Sequence, residues 1–586
     1  MTLLVVALLF TGSDAGRVTS YYARRGPSKD LAIESLPQNA ECPTPADGCS
    51  GQVHIALGGP NEMVVTYASF NDRIRSEVWY RPVGSNYPRQ KVVGAATTYS
   101  SLNFIASDLV HPEIGEVFPT EKINKLKDTS YWASRTAVAP FTRGASYQEP
   151  AVDAPVKTDV FMSYKNPAAY YTSPVLHTVR LTNLTAGWEY EYQVDGDSRK
   201  FSFTMPVEGR TPSSPWGASA YPFMFGLAAD VGQTAASKAT LAHLEKELKR
   251  FRPQARAFLL AGDLSYADGW GPRWDSWGTL SESLVAQVPM MTVGGNHEVG
   301  SGEGWMHYNA RYPMPSASSG STSNLWWSRN IGPAHVIGLC SYAATDEHSL
   351  QYRWLVRDLK AIDRQRTPWV VVMMHSPFYN SNKGHQGEAE LARRDFEPLF
   401  WTHGVDIVLA GHVHAYERSV PVYDGCPDEY GTTHLGLGDG GNREGAYVPW
   451  LEPQPQWSAF RESSFGGATL IFHNATHASY RWQRTACGVA NKTNGIDLDG
   501  IDCITDDDNS ASRSAAHDSS FIIRPTTRNS PSRPRQPNLC TYPPQAPSPP
   551  APPPPPTVSP RPSSSAREVM AAALEEALER TGVDLI

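Results

Sequence analysis

The residues with the greatest potential for chemistry follow five short apolar segments of the chain. Each segment is followed within a few positions by aspartate, tyrosine, asparagine or histidine. If the segments are strands of a layered α/β domain, their carboxyl ends meet at one edge, where the binding sites of open α/β sheets form. The residues that would converge there are Asp230, Asp263, Tyr266, Asn296, His375, His412 and His414.

This set of side chains suits a pair of metal ions. Carboxylate, phenolate, amide and imidazole groups favour borderline to hard transition metals. Because the set contains no cysteine, zinc-finger and iron–sulfur sites are excluded. Seven ligands exceed what one tetrahedral ion needs, whereas two ions that share a bridging carboxylate use them all. A lone histidine or a lone Gly-Asp pair is more often structural, so it is the combination of five segments that predicts the metal site.

The order of these motifs resembles the metallophosphoesterase signature. Two longer stretches, Gly262-Asp-Leu-Ser-Tyr266-Ala-Asp268 and Gly411-His-Val-His-Ala-Tyr-Glu-Arg418, are similar to those of the plant-type, high-molecular-weight purple acid phosphatases. The resemblance extends over roughly residues 52–484. It implies an acid phosphatase, a phosphoric monoester hydrolase whose substrates are small phosphate esters.

The resemblance also implies a role for each ligand. Asp230, Tyr266 and His414 would bind an iron(III), and Asp263 would bridge the two metals. A Tyr266 phenolate on iron(III) would give the visible absorption band that makes these enzymes purple. A hydroxide bound to the metals would attack the phosphorus in line, because a metal lowers the pKa of bound water.

The second metal and the substrate would use the remaining residues. Asn296, His375 and His412 would bind a divalent ion, and zinc, manganese and iron all stay open. His297 and His385 are the candidates for phosphate contact and proton donation, with Asn296 also near the substrate.

Two positions depart from the family pattern. Ala229 stands where a glycine is usual, which leaves the following Asp230 in place. Gly384 stands where related enzymes often carry a histidine, so this loop offers one imidazole fewer. The neighbouring Lys383 could supply positive charge instead or could be a solvated surface residue.

Three functions stay open at the level of the sequence. The first is a phosphate monoesterase that works at acidic pH. The second is a phosphodiesterase or nucleotide pyrophosphatase on the same two-metal site. The third is a non-catalytic wall or matrix protein, which the complete ligand set argues against. Fold analogy does not choose among individual phosphate esters.

The composition narrows the class of protein further. The 586 residues include 51 Lys+Arg and 59 Asp+Glu, for a net charge of −8, which disfavours a nucleic-acid-binding module. The apolar runs all fall short of the ~18 residues that a membrane span needs, so we expect none. Seven cysteines leave at least one thiol unpaired or intermolecular, which permits a covalent homodimer.

Several features predict export. An apolar run over residues 3–10, followed by small and polar residues, is typical of a signal peptide, which we place at residues 1–16. A buried first strand is the alternative. Glycosylation sequons at Asn183, Asn474 and Asn491 agree with secretion to the extracellular space, the cell wall or the vacuole.

The hydrophobic pattern predicts two folded domains. Apolar and polar residues alternate over residues 48–208, which is typical of an antiparallel β-sandwich, here similar to a fibronectin type III domain with an irregular insertion at roughly 94–167. Apolar runs alternate with helical segments over residues 218–486, which predicts the α/β metallophosphoesterase domain with its two-sheet αββα sandwich. We expect a disordered proline-rich linker at 487–565 and a short C-terminal helix at 566–583.

Overall fold

A computed structural model describes residues 17–23, 30–31, 50–69, 73–102, 170–209, 220–252, 254–300, 303–485 and 517–524. These residues form a β-sandwich followed by an α/β domain built on two larger sheets, so the predicted fold class is confirmed. The predicted signal peptide, the sequon at Asn491 and the predicted C-terminal helix lie outside the described residues.

The first domain is a sandwich of two four-stranded antiparallel sheets. Strand β1 (Val18–Ala23) precedes it, and its own strands are β2 (Ser50–Leu57), β3 (Met63–Ser69), β4 (Glu77–Pro82), β5 (Gln90–Val93), β6 (Ala95–Thr97), β7 (Ser100–Leu102), β8 (Tyr170–Thr172), β9 (Val175–Leu181), β10 (Glu189–Val194) and β11 (Phe201–Thr204). One sheet has the order β2-β3-β9-β6 and the other β11-β10-β4-β5. In β10 the buried residues Tyr190, Tyr192 and Val194 alternate with half-buried polar ones, as the pattern predicts.

The insertion predicted at roughly 94–167 begins later in the structure. Strands β6 and β7 occupy its first residues, and β7 pairs with β8 so that Leu102 lies opposite Tyr170. Residues 103–169 lie outside the described residues. The short strands escaped prediction because three residues are too few for an alternating pattern to show.

The second domain contains two mixed sheets and the described helices. Its strands are β12 (Phe223–Ala228), β13 (Arg256–Leu260), β14 (Met290–Thr292), β15 (Trp327–Ile331), β16 (Ala334–Gly338), β17 (Trp369–Met373), β18 (Ile407–Ala410), β19 (Tyr416–Ser419), β20 (Val422–Tyr423), β21 (Cys426–Pro427), β22 (Thr433–Leu437), β23 (Ser458–Ser463), β24 (Gly466–Phe472), β25 (His477–Arg484) and β26 (His517–Ile523). The helices are α1 (Ala235–Arg250), α2 (Pro272–Val285), α3 (Asn296–Val299), α4 (Met306–Arg311), α5 (Leu350–Ala361) and α6 (Glu390–His403), with a 3₁₀ turn at Ala317–Ser319.

Parallel strands in both sheets align their carboxyl ends. The six-stranded sheet has the order β14-β13-β12-β24-β25-β26, in which β12, β13 and β14 are parallel. The eight-stranded sheet has the order β1-β23-β19-β22-β18-β17-β16-β15, in which β16, β17, β18 and β22 are parallel. The loops that follow these strands are therefore the ones that can build a shared site.

Two strands lie outside the predicted domain boundary of 218–486. Strand β1 pairs in parallel with β23, and β26 pairs antiparallel with β25 inside the stretch predicted as a disordered linker. The Asp518 carboxylate accepts hydrogen bonds of 2.6 Å from both Tyr416 and Arg418. A half-polar segment of this kind gains its order from its sheet partners, so its own sequence gives little sign of a strand.

A side-chain cap determines where helix α1 begins. The Thr234 hydroxyl accepts hydrogen bonds from the backbone of Ala236 and Ser237, and the Ser237 hydroxyl accepts one from the Thr234 backbone. This capping box ends the loop that begins after β12.

The helices within the described part of the chain include none with the length and apolar character of a membrane span.

A buried arginine joins the two domains. Arg311 donates hydrogen bonds of 2.7 Å to the Tyr171 hydroxyl, 2.9 Å to the Tyr99 hydroxyl and 2.9 Å to Gln52 from the sandwich. From its own domain it pairs with Asp275 at 2.8 Å. A fully buried guanidinium with this many partners holds the domains in a defined orientation.

Candidate metal centre

The structure brings all seven predicted ligands to one place, between the carboxyl ends of strands from both large sheets. The loops after β12, β13 and β14 carry four of them, and the loops after β17 and β18 carry the other three. Each side chain belongs to a buried residue. In chain order the residues are Asp230, Asp263, Tyr266, Asn296, His375, His412 and His414.

Three of the ligands form a tight first group. The Tyr266 hydroxyl lies 3.1 Å from Asp230 Oδ1 and 3.0 Å from His414 Nε2. The same Asp230 oxygen lies 3.4 Å from His414 Nε2. One carboxylate oxygen, one phenol oxygen and one imidazole nitrogen therefore face a common point.

The second group adjoins the first. His375 Nε2 lies 3.1 Å from Asn296 Oδ1 and 3.1 Å from Asp263 Oδ2, while His375 Nδ1 is held by the carbonyl oxygen of Ala261 at 2.9 Å. Ligand atoms of Asp263, His375 and His412 all lie within 4.8 Å of one another. His375 Nε2 is 3.9 Å from Asp230 Oδ1, so the two groups lie side by side.

The charges of this cluster fit bound cations. Asp230 and Asp263 are both buried, and among the described residues no lysine or arginine forms an ion pair with either carboxylate. The buried Asp263 Oδ2 has another candidate ligand, His375 Nε2, at 3.1 Å, but among the described residues it accepts no hydrogen bond of ordinary geometry. Because buried carboxylates are normally paired or bound to metal, the residues fit a metal pair.

The electrostatics of Tyr266 lead to the same conclusion. Burial, together with the Asp230 and Asp263 carboxylates, raises the pKa of the Tyr266 phenol well above its ordinary value. A phenolate can form in this surrounding only beside a strong positive charge, since a bound cation lowers the pKa of the group that binds it. Burial would also raise the pKa of Asp263, but His375 and His297 lower it below its ordinary value.

The backbone is held in unusual conformations to aim these side chains. Asp230, Asp263, Tyr266 and His412 have φ angles of 54°, 51°, 50° and 69°, in the left-handed region that non-glycine residues seldom adopt. Such residues cost of order 1–3 kcal/mol each and cluster at functional sites. At Gly262, where φ is 93°, a side chain would stand 2.4 Å from His375 Nδ1, so glycine lets the histidine approach.

His297 lies beside the ligands, and Asp268 holds the ring nitrogen on its far side. His297 Nδ1 is 2.5 Å from Asp268 Oδ1, and Nε2 lies on the side of the ligands, 3.8 Å from Asp263 Oδ2 and 3.5 Å from Glu444 Oε1. Burial alone would lower the pKa of His297, but Asp268, Asp263 and Glu444 raise it well above its ordinary value. Because Asp268 holds Nδ1, Nε2 is the ring nitrogen turned towards an anionic ligand.

His385 occupies the rim of the site. Its ring centroid lies 3.9 Å from that of His412, and Glu388 contacts both rings, at 2.9 Å from His385 Nδ1 and 2.6 Å from His412 Nε2. The Tyr447 hydroxyl lies 3.4 Å from His385 Nε2. Burial and His385 lower the pKa of His412 to about 4, which favours the neutral imidazole that a metal needs.

Sequence reasoning gave no role to several residues that support the site. Glu298 accepts hydrogen bonds of 2.9, 2.8 and 2.9 Å from the backbone of Asp263, Gly295 and Leu264. It thereby joins the loop that carries Asp263 to the loop that carries Asn296. Its place three residues after Gly295, in the position of a capping glutamate, was the available signal.

Three residues of the loop after β22 were also given no role from the sequence. Strand β22 lies parallel to β18, and the loop after it places Arg443 against Asp268, Glu444 near His297 and Tyr447 against His414. The rule that found the ligands, polar residues after a parallel strand, applies here too. The signal was weaker because the strand, Thr-His-Leu-Gly-Leu, includes a threonine, a histidine and a glycine rather than an apolar run.

Three family models match successive parts of the chain. The N-terminal domain of purple acid phosphatases matches residues 51–207, the calcineurin-like phosphoesterase model matches residues 223–416, and the iron/zinc purple acid phosphatase-like C-terminal model matches residues 431–493. Together they cover both domains and confirm the resemblance predicted from the motifs.

Individual relatives agree. The chain is 35% identical over 480 residues to probable purple acid phosphatase 20 of Arabidopsis thaliana, which covers 80% of this chain and 91% of that one. It is 40% identical over 318 residues to purple acid phosphatase 18 of the same plant, with 54% of this chain and 69% of the relative covered. A purple acid phosphatase from yellow lupin seeds has a similar fold, with a TM-score of 0.57 at 18% identity over 82% of this chain and 76% of that chain.

Proposed function

Because the chain belongs to the purple acid phosphatase family, we propose that it is a secreted acid phosphatase that hydrolyses phosphate monoesters at a dinuclear Fe(III)–M(II) centre. The observation that carries this proposal is the convergence of seven donor side chains in two adjoining groups, around two buried carboxylates that form no ion pair with a lysine or arginine among the described residues. The divalent ion would be zinc, manganese or iron.

Each group suits one ion. Asp230, Tyr266 and His414 would hold iron(III), because a carboxylate and a phenolate are hard anionic ligands. Asn296, His375 and His412 would hold the divalent ion, with Asp263 bridging the two. When bound, the metal pair supplies Lewis acidity to the phosphate and lowers the pKa of water.

The two histidines that are not ligands would handle the substrate. With Nδ1 held by Asp268, His297 presents Nε2 to the ligand cluster, where it would donate a hydrogen bond to a phosphoryl oxygen. Asn296, the residue before His297 in the chain, would be a further substrate contact. His385, at the rim, would donate a proton to the leaving alcohol, with Glu388 orienting its ring.

Secretion is supported by the sequence and by two exposed turns. Asn183 follows β9 and Asn474 lies between β24 and β25, and both residues are exposed. Secretory expression of the full chain should release a protein that begins after residue 16 and loses mass on enzymatic deglycosylation; an uncleaved, unmodified chain would contradict the secreted state.

The activity is tested with a panel of substrates on the metal-analysed protein. We expect two metals per chain, with iron present, and at acidic pH a higher kcat/KM for an aryl phosphate monoester than for the matching diester or for a nucleoside triphosphate. The Asp263→Asn variant should lose the metals and the activity together. A higher kcat/KM for the diester or the triphosphate would overturn the monoesterase assignment in favour of the phosphodiesterase or pyrophosphatase alternative.

A further inference from the structure

The N-terminal arm, defined as the described residues 17–23 and 30–31, reaches the edge of the candidate site. Strand β1 anchors its first part on β23. Further along, Asp30 forms a β-bridge with Thr234, and the Leu31 backbone donates a hydrogen bond of 2.8 Å to the carbonyl oxygen of Gln233. The arm therefore lies against the end of the loop that carries Asp230, although it is far from that loop in sequence.

The Asp30 carboxylate is buried between two arginines. Its Oδ2 accepts a hydrogen bond of 2.8 Å from Arg443 Nη1 and lies 3.0 Å from Arg273 Nη1. The three side chains are 1–3% exposed. Two guanidinium groups at this depth need a negative charge beside them, and Asp30 supplies it.

Arg443 connects Asp30 to the candidate phosphate-binding histidine. Through Nη2 the same guanidinium donates a hydrogen bond to Asp268 Oδ2, and the other oxygen of Asp268 lies 2.5 Å from His297 Nδ1. One continuous chain of buried polar contacts thus links Asp30, Arg443, Asp268 and His297. A guanidinium is a rigid planar fork, so the position of one of its partners constrains the other.

We propose that Asp30 is a positioning residue for His297, acting through Arg443 and Asp268. Asp30 holds one branch of the Arg443 fork, the other branch holds Asp268, and Asp268 determines the plane of the imidazole whose Nε2 faces the substrate. The inference rests on the phosphatase activity proposed above and adds to it a residue of the N-terminal arm.

The alternative is that Asp30 only fastens the arm to the domain. Leu31 offers a matched control, because its partly buried side chain packs against the core directly beside Asp30 but carries no charge. A Leu31→Ala variant loosens the same part of the arm and leaves the carboxylate in place.

The experiment compares full-length, metal-loaded Asp30→Asn, His297→Asn, the double variant and Leu31→Ala on an aryl phosphate. We expect Asp30→Asn to lower kcat about 10- to 100-fold, as misplaced catalytic groups do, with KM and metal content little changed. In the His297→Asn background, Asp30→Asn should change kcat less than about twofold, because the group it positions is already gone. Leu31→Ala should keep the wild-type kcat even if its unfolding temperature falls.

A crystal structure of Asp30→Asn gives a readout besides activity. The His297 ring should be rotated from its place beside Asp268, whereas in Leu31→Ala it should not move. If Asp30→Asn does not fold, Arg443→Lys replaces it in both backgrounds, because lysine keeps the charge but cannot bridge Asp30 and Asp268 as a fork.

The outcomes separate this inference from the proposed function. An inactive metal-loaded wild-type enzyme overturns both. With an active wild type, an unchanged kcat in Asp30→Asn, equal effects of that substitution with and without His297, or an equal kcat loss in Leu31→Ala overturns the positioning role alone.

Discussion

The Tyr266 hydroxyl group lies 3.1 Å from the Asp230 carboxylate, and both side chains are fully buried. Without a cation the phenol keeps its proton, because burial and the adjacent carboxylates raise its pKa. Iron(III) has the charge needed to displace that proton and to take both oxygens as ligands. The relationship between these two residues therefore leads directly to a spectroscopic test.

Replacing Tyr266 by phenylalanine should abolish the visible absorption band of the iron-loaded enzyme. The phenolate oxygen is the group whose electrons the band excites, and phenylalanine removes that oxygen while keeping the buried ring. The measurement is the absorption spectrum of purified protein, recorded together with its iron content.

Tyr342→Phe is the matched control for this spectrum. The Tyr342 hydroxyl lies 3.2 Å from Asn296 Oδ1, next to the second group of ligands. Its loss should leave the colour intact. If the band persists in Tyr266→Phe at unchanged iron content, or disappears in Tyr342→Phe, iron is not bound to Tyr266 as we assign it.

Glu298→Gln should weaken metal binding about 10- to 100-fold, as substitutions behind metal ligands commonly do. The carboxylate accepts three backbone hydrogen bonds, and an amide nitrogen in place of one oxygen would face a backbone N–H instead. Competition with a chelator measures the affinity. An affinity equal to that of the wild type would show that the two loops hold their places without this residue.

His385→Ala should slow the hydrolysis of alkyl phosphates more than that of aryl phosphates. A proton donor matters most when the leaving alcohol is a poor leaving group, and such donors contribute about 10²- to 10⁴-fold. The kcat values of the two substrate types give the comparison. The exposed neighbour Lys383 serves as the control, and Lys383→Ala should alter both substrates alike; an equal loss on both substrates in His385→Ala would remove the proton-donor role.

The ligands could be located from the sequence because each follows a strand by a few residues. Asp263 and Tyr266, for example, share one loop, and a local rule about strand ends finds both. The same rule reached Asp230, His375 and His412 because an apolar run precedes each of them. The two-domain architecture was equally visible, since the period of the hydrophobic pattern changes between the domains.

The supporting residues could not be predicted because their partners are distant in the chain. Asp30 and Arg443 are separated by 413 positions, and neither residue has a local feature that indicates an ion pair. Strand β26 shows the same limit, because its order comes from β25 and from the bonds of Asp518. Contacts of this kind depend on the assembled tertiary structure rather than on any sequence window.

The buried His307 should make the fold less stable in acid. Burial and the nearby Arg311 lower its pKa from 6.5 to about 3, and the ring stacks on Trp274 with Nδ1 held 2.8 Å from the Tyr99 hydroxyl. Between these two pKa values the unfolded chain binds a proton that the folded protein excludes. The contribution of His307 is therefore fully present above pH 6.5 and falls by about 1.4 kcal/mol for each pH unit below it.

His307→Gln should flatten this dependence, because glutamine is polar but binds no proton. Denaturant unfolding of the metal-free protein at several pH values between the two pKa values measures it, and the variant should lose less stability than the wild type as the pH falls. His348→Gln is the control, since the His348 side chain is 88% exposed and its replacement should leave the slope unchanged. Parallel pH profiles for wild type and His307→Gln would mean that His307 takes up its proton in the folded state, so that the domain interface admits the charge.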